Sequence, residues 1–203
     1  MMQSTTPGLE TAALAATGLR LGCAGWAIPK SLAGEFPARG SHLERYGAVF
    51  DAVEIDTSFY RAHRRATYAR WAASVPAQFR FAVKLPRAVT HERRLRDCGD
   101  LLDAFCAEVG GLGPRLGCLL VQLPPSLPYD RERLAAFLDE LRRRHRGALA
   151  LEPRHPSWFD GAASVQLAAC GVARVAADPA PGRGGEEPAG DRHLSYFRLH
   201  GRP

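Results

Sequence analysis

The sequence predicts an α/β fold of the TIM-type (β/α) barrel kind, and three observations carry that prediction. Short apolar runs alternate with helix-period stretches along the chain, the pattern of right-handed βαβ units on a parallel sheet. Polar or charged residues stand at the C-terminal end of nearly every run: Glu54 and Asp56, Lys84, Gln122, Glu152 and Arg154, Asp178, Arg198 and His200. A barrel gathers all its strand ends around one mouth, whereas an open doubly wound sheet uses only those at its switch point. The chain also lacks GxGxxG after its first strand and any GxxxxGKS or GxxxxGKT segment, which weighs against dinucleotide and P-loop binding.

In order, the predicted strands are LGCAGW (21–26), AVEIDTSFY (52–60), RFAVKLP (80–86), GCLLVQLPP (117–125), ALALEPR (148–154), VARVAAD (172–178) and SYFRLHG (195–201). Helical patterns between them include LERYGAVF, TYARWAASV, LLDAFCAEVGGL and RERLAAFLDELRRR, the last with an apolar stripe at Leu134, Phe137, Leu138 and Leu141. Residues 1–18 have no basic leader and read as a disordered or loosely helical tail, leaving 19–203 as one domain. PAPGRGGEEPAGD (179–191), rich in proline, glycine and charge, predicts a mobile loop without an apolar anchor. Seven strands leave a barrel incomplete, so the eighth βα unit is expected to be missing, the chain truncated, and the first and last strands open-edged and prone to self-association.

Composition bounds the function classes. With 46% apolar and 24% charged residues, the 203-residue chain is ordinary globular material with no run apolar enough to span a bilayer, which predicts a cytoplasmic protein without a membrane partner. Its net charge of +6 comes almost wholly from arginine, Lys30 and Lys84 being the only lysines, and leans toward anionic partners. Five cysteines without CxxC spacing, most of them in apolar runs (Cys23, Cys106, Cys118, Cys170), read as small core residues of a reducing compartment with no disulfides.

Candidate chemistry centres on LALEPRHPSW (149–158), where an apolar run stops at Glu152, Arg154, His155 and Trp158. Residues two apart share a strand face, so Glu54 with Asp56, Glu152 with Arg154, and Arg198 with His200 point the same way. Three carboxylates then meet three basic groups and must pair or hold a ligand. Lys84 reads either as a lysine activated by its surroundings or as one half of an ion pair with Glu54 or Glu152. A divalent metal held by Glu54, Glu152, His155, Asp178 and His200 is a second use of the same residues, although no HxH, HxxxH or HExxH spacing is present. Basic loops RAHRR (61–65) and THERRLR (90–96) with Arg87 predict a rim that draws in anions, whereas RRRHR (142–146) reads as a solvated helix end. Trp26, Phe59, Tyr60 and Trp158 at strand ends either cap the core or stack on a sugar or base.

GCAGW, HLERYGAVFDAVEIDTSFYR, FAVKLPRAVTH, LGCLLVQLPPS, LALEPRHPSWF and YFRLHGR together resemble the YecE-like proteins, catalogued as domain of unknown function 72, over about residues 20 to 203. The resemblance implies a TIM-type barrel whose mouth holds Gly25, Trp26, Glu54, Thr57, Phe59, Tyr60, Lys84, Thr90, His91, Gln122, Pro124, Pro125, Glu152, Arg154, His155, Trp158, Arg198, His200 and Gly201. It implies no reaction, because the family's activity is not established. Three departures bear on the ligand: Asp56 stands where the family pattern has asparagine, Pro153 where it has a bulky apolar residue, and GEFP (34–37) where it has a longer aromatic-proline motif. Two function classes follow. One is an enzyme or binder of a small anionic or phosphorylated ligand, with Glu54 or Glu152 as acid/base, Lys84 as electrostatic stabiliser and Arg198 as anion clamp. The other is a nucleic-acid-associated protein, with metal-assisted phosphodiester hydrolysis.

Overall fold

Runs such as VEI, FAV, CLLV and LALE are too apolar to leave a face in water, so they build a sheet covered on both sides. The computed structural model describes residues 18–201. In it β1 (Ala52–Ile55), β2 (Arg80–Lys84), β3 (Leu116–Gln122), β4 (Ala148–Glu152) and β5 (Val172–Arg174) pair in that order, all parallel. The chain continues past Val175 as β6 (Ala176–Asp178), and two short strands follow, β7 (Ala189–Gly190) and β8 (Phe197–Leu199). β7 closes the sheet antiparallel to β5, while β8 pairs in parallel with β6. The handover occurs within one residue: Val175 N–H donates to Leu151 O of β4, and Ala176 N–H to Tyr196 O beside β8.

Five α-helices flank the strands: α1 (His42–Gly47), α2 (Arg65–Ala73), α3 (Gly99–Val109), α4 (Arg131–Arg144) and α5 (Gly161–Ala169). Local chemistry sets their starts. Ser41 and Glu44 form a reciprocal capping box on α1, and Asp130 and Asp160 accept from Arg133 N–H and Ala163 N–H at the first turns of α4 and α5. Period two then divides the strands. Val53, Ile55, Phe81, Val83, Leu119, Val121, Leu149 and Leu151 pack with Leu102, Phe105, Leu134, Phe137, Leu138 and Leu141 of the helices. Leu120, Ala150 and Val175 form a small second core with Leu194 and Tyr196.

The architecture is a mixed α/β fold with a largely parallel sheet; among the described residues the strands do not close into a ring. Residues 21–26 make only one bridge, Ala24 with Glu54, supported by Glu54 N–H to Cys23 O (2.9 Å) and Gly25 N–H to Glu54 O (2.9 Å). With a neighbour on one side only, and Gly25 turning the chain at φ +103°, the segment leaves β1 after one contact and residues 19–24 stay exposed. The strand expected over 52–60 stops at Ile55 and becomes a 3₁₀ turn, Thr57–Phe59. Helix α5 escapes notice in the sequence because GAASVQLAA, with four alanines in nine residues, has no marked apolar stripe.

Three further expectations are corrected. The loop 179–191 is non-helical as expected, but it is anchored. The buried Arg174 donates to Gly184 O and Glu187 O, and Phe159 lies so close that a Cβ built on Gly182 or Gly185 would sit 3.1 Å from its ring. The arginines of 142–146 are not merely solvated: Arg142 donates to Gly147 O and Gly171 O, and Arg144 ties α4 to Asp103 of α3. All five cysteines are free, yet Cys23 is exposed because the edge segment carrying it has no outer neighbour. Residues 1–17 of the expected tail, with residues 202 and 203, lie outside the described residues. No helix among the described residues is long and apolar enough to cross a membrane.

Docking of the first segment on β1 leaves no room at Gly22, where an added Cβ would fall 2.0 Å from Ala52 O. We expect Gly22→Ala to lose on the order of 1–3 kcal/mol in urea unfolding, the range for overpacking. Gly34→Ala, with nothing within 4 Å of its Cβ, should not show a comparable loss.

Candidate functional site

The strand ends first assemble a charge network. Arg198 of β8 donates from Nε (3.1 Å) and Nη2 (2.9 Å) to the two oxygens of Glu54 on β1, and from Nη1 to Glu152 Oε2 on β4 (2.7 Å). Gln122 Nε2 donates to the same Glu152 oxygen (2.8 Å), Arg154 to Glu152 Oε1, and the Tyr196 hydroxyl to Glu54 Oε2 (2.9 Å). Every oxygen of both buried carboxylates is thus committed to a donor. Burial alone would favour a neutral Arg198, but Glu152 and then Glu54 outweigh it and hold the guanidinium more firmly protonated than usual. Burial, reinforced by Glu54, raises Tyr196 far above the usual phenol range, so it remains a donor. Cys118 lies on the same side; burial and then Glu54 push its thiol up to about 12.

A second cluster forms one strand end away. Lys84, buried, donates to Asp56 Oδ1 (2.7 Å) and stands 4.2 Å over the Phe59 ring. Register explains why its partner is Asp56 rather than the expected Glu54 or Glu152. Glu54 lies opposite Ala82, so Lys84, two residues on, meets the residue two beyond Glu54. Ser58 Oγ lies within hydrogen-bonding distance of Ile55 O (2.8 Å) and Lys84 O (2.7 Å) and joins the two strand ends. The rings of His91 and Tyr60 each meet Phe59 edge to face at 4.9 Å.

The loop after β2 carries His91 on a π-helical turn, Ala88–Glu92, followed by left-handed backbone at Arg94, Leu95 and Asp97. Both are uncommon conformations that need outside support. Support comes from Leu95, buried in the core, and from Arg94, which donates to Ser126 Oγ (2.9 Å) and Ser126 O (2.6 Å). Burial and then the charges of Arg87, Lys84, Arg154 and Arg94 all hold His91 below the usual histidine range. Thr90 Oγ1 contacts its Nδ1 at 2.9 Å.

The remaining candidates fall elsewhere. Trp158 is a core residue, 1% exposed, with its indole N–H donating to Leu127 O (2.9 Å) and its ring against Tyr129; it offers no face to a ligand. His155 accepts from Ser157 N–H through Nδ1 and caps the turn Pro156–Trp158. Trp26 packs on Trp71 at 5.0 Å, beside His63, instead of joining the charges. His200 is exposed, with Nε2 3.5 Å from Arg198 Nη1. Among the described residues no three His, Cys, Asp or Glu side chains are grouped to hold a metal ion. Tyr196 was missed by sequence reasoning, although the same two-residue spacing that pairs Arg198 with His200 puts it on their face.

Comparison with known proteins gives the family and the fold. A family model described as "Protein of unknown function DUF72" matches residues 20–203. The UPF0759 protein YecE of Escherichia coli strain K12 is 33% identical over 145 residues, 68% of this chain and 53% of its own length. The UPF0759 protein YunF of Bacillus subtilis strain 168 is 26% identical over 90% of this chain and 70% of its own length. Crystal structures of DUF72 family proteins from Enterococcus faecalis (TM-score 0.72, 24% identity) and Thermotoga maritima (TM-score 0.69, 26% identity) each match 90% of this chain, covering 70% and 74% of those chains. The chain spans about half the length of the YecE proteins it matches.

Two measurements check the site. Arg198→Met leaves two buried carboxylates without their shared cation and should cost about 3–5 kcal/mol in chemical unfolding. The double variant with Glu54→Gln should lose less than the sum of the single losses, since the partners couple. For His91, whose folded value is depressed, the unfolded chain takes up a proton near pH 6.5 before the native state does. Its contribution to stability is therefore intact above that pH and is lost as pH falls through the lower folded value. NMR titration should give a His91 midpoint below about 6.5, and His91→Gln should flatten that part of the pH–stability curve.

Proposed function

The chain belongs to the protein family of unknown function DUF72, and from that premise we propose that it binds a small anionic, phosphate-bearing ligand at the strand ends around His91. The observation that carries this reading is that Lys84 and His91 meet the same Phe59 ring, with Arg87 and Arg94 on the loop that bears His91 and Arg154 just past the end of β4; together with burial, these four charges hold the His91 ring below the usual histidine range. Lys84 and Arg154 are offset by Asp56 and Glu152, but Arg94 bonds only to the uncharged Ser126, and Arg87 has only an exposed contact with Glu92 at 3.9 Å. The corner therefore carries excess positive charge where it meets solvent, the condition that attracts an anion.

In this reading Arg87 and Arg94, the two less closely matched by a carboxylate, join Lys84 and Arg154 in holding the anion, and His91, kept neutral, is the group able to accept a proton from it. Glu54 and Glu152, with all four oxygens engaged, position Arg198 and Arg154. Gln122 and His200 border the same network. The strand ends are proposed as the mouth of a TIM-type barrel in a single domain; sequential parallel pairing and the reach of Arg198 from β8 to β1 support that finer fold. Five free cysteines support a reducing, cytoplasmic setting.

Inorganic phosphate titrated into the protein should shift the His91 resonances in a saturable manner, and Arg154→Met and Lys84→Met should each weaken binding about tenfold or more, the scale of one lost charge-assisted hydrogen bond. Binding should fall gently with added salt. A steep salt dependence with preference for oligonucleotides would point to the nucleic-acid class, and an unmoved His91 would overturn the reading.

A further inference from the structure

Tyr60 is the feature the anion site leaves unused. Its side chain is 74% exposed although it stands beside the most charged corner of the molecule. A single exposed aromatic is ordinary on a protein surface. What sets this one apart is where it stands, against a buried ring that Lys84 and His91 also meet. The backbone N–H of Tyr60 donates to Thr57 O (3.2 Å), closing the 3₁₀ turn. Its ring meets Phe59 at 85°, and Phe59 is buried. Among the described residues the Tyr60 hydroxyl makes no hydrogen bond and its ring has no aromatic neighbour besides Phe59. The Phe59 ring is also the one that carries Lys84 at 4.2 Å and His91 at 4.9 Å. Tyr60, Lys84 and His91 thus all meet one buried ring, Phe59.

We propose that Tyr60 is a stacking platform for a planar ring, so that the ligand of this site is a nucleotide: a base on Tyr60 joined through a sugar to a phosphate at Lys84 and His91. The inference rests on the anion reading above and narrows it. A planar base gains from an aromatic face whatever its edge pattern, and a tyrosine gives that contact at low entropic cost because only two torsions must be fixed. The exposed Arg61 and Arg64, on the loop that follows, keep the approach to this ring positive.

Three probes separate the parts: inorganic phosphate, ribose 5-phosphate and adenosine 5′-monophosphate, each followed by calorimetry and by the His91 resonances. The mononucleotide should bind about tenfold or more tightly than ribose 5-phosphate, the scale of one base–aromatic stack. Tyr60→Ala should bring it down to the affinity of ribose 5-phosphate, and Tyr60→Phe should keep the gain. Equal affinity of the two phosphorylated probes, with phosphate still bound at His91, overturns the stacking platform and leaves the anion site standing. A nucleotide advantage that survives Tyr60→Ala also overturns it. Failure of all three probes to move His91 overturns the anion reading itself.

Discussion

Arg198 is the constraint on which the site depends. Its strand is three residues long and pairs with one neighbour, β6, which is equally short. Ladder hydrogen bonds of that number are weak support. The guanidinium, shared between Glu54 and Glu152, ties the last strand to the first and fourth at once. A buried ion pair of this kind is a poor source of net stability, because desolvation offsets most of its attraction. Its value lies in geometry: any other placement of β8 takes the Arg198 guanidinium and the Tyr196 hydroxyl from the buried Glu54 and one donor from the buried Glu152.

That network also sorts the polar residues by what they are free to do. Glu54, Glu152, Arg198, Gln122 and Tyr196 saturate one another, leaving little capacity for a ligand. The neighbouring corner is built differently. Lys84 has one acidic partner and a ring beneath it, His91 is pressed toward neutrality by cations, and the loop bearing it is held in an uncommon conformation by Leu95 and Arg94. Balanced charge marks the strand ends that hold strands together. Unbalanced charge marks the corner where an anion is proposed to bind.

The family relation concerns the shared fold, and the solved relatives extend beyond the segment that aligns with this chain. Two cavities of the described residues are lined without Lys84, His91 or Arg198. One, of about 640 Å³, runs between Leu95–Gly99 and the outer face of α4. The other, about 290 Å³, lies beside β6 and β8 under Phe197 and Leu199. The size of a hollow and the chemistry around it are separate properties, and here they do not coincide.

Much of the molecule was legible in the sequence, because strand and helix periods are local. The apolar stripe of α4, the charged residues closing each strand and their two-residue spacing follow from residues a few positions apart. So did the inward direction of Glu54, Lys84, Glu152 and Arg198. Which inward charge meets which depends on register between strands distant in sequence. Lys84 turned to Asp56 because Ala82, not Lys84, lies opposite Glu54. Trp158 reads equally well as a stacking residue or a core residue until Leu127 and Tyr129, about thirty positions away, are brought over it. The order of residues along each strand determined that charges would gather at the strand ends; long-range pairing alone decided which of them neutralise one another and which are left facing solvent.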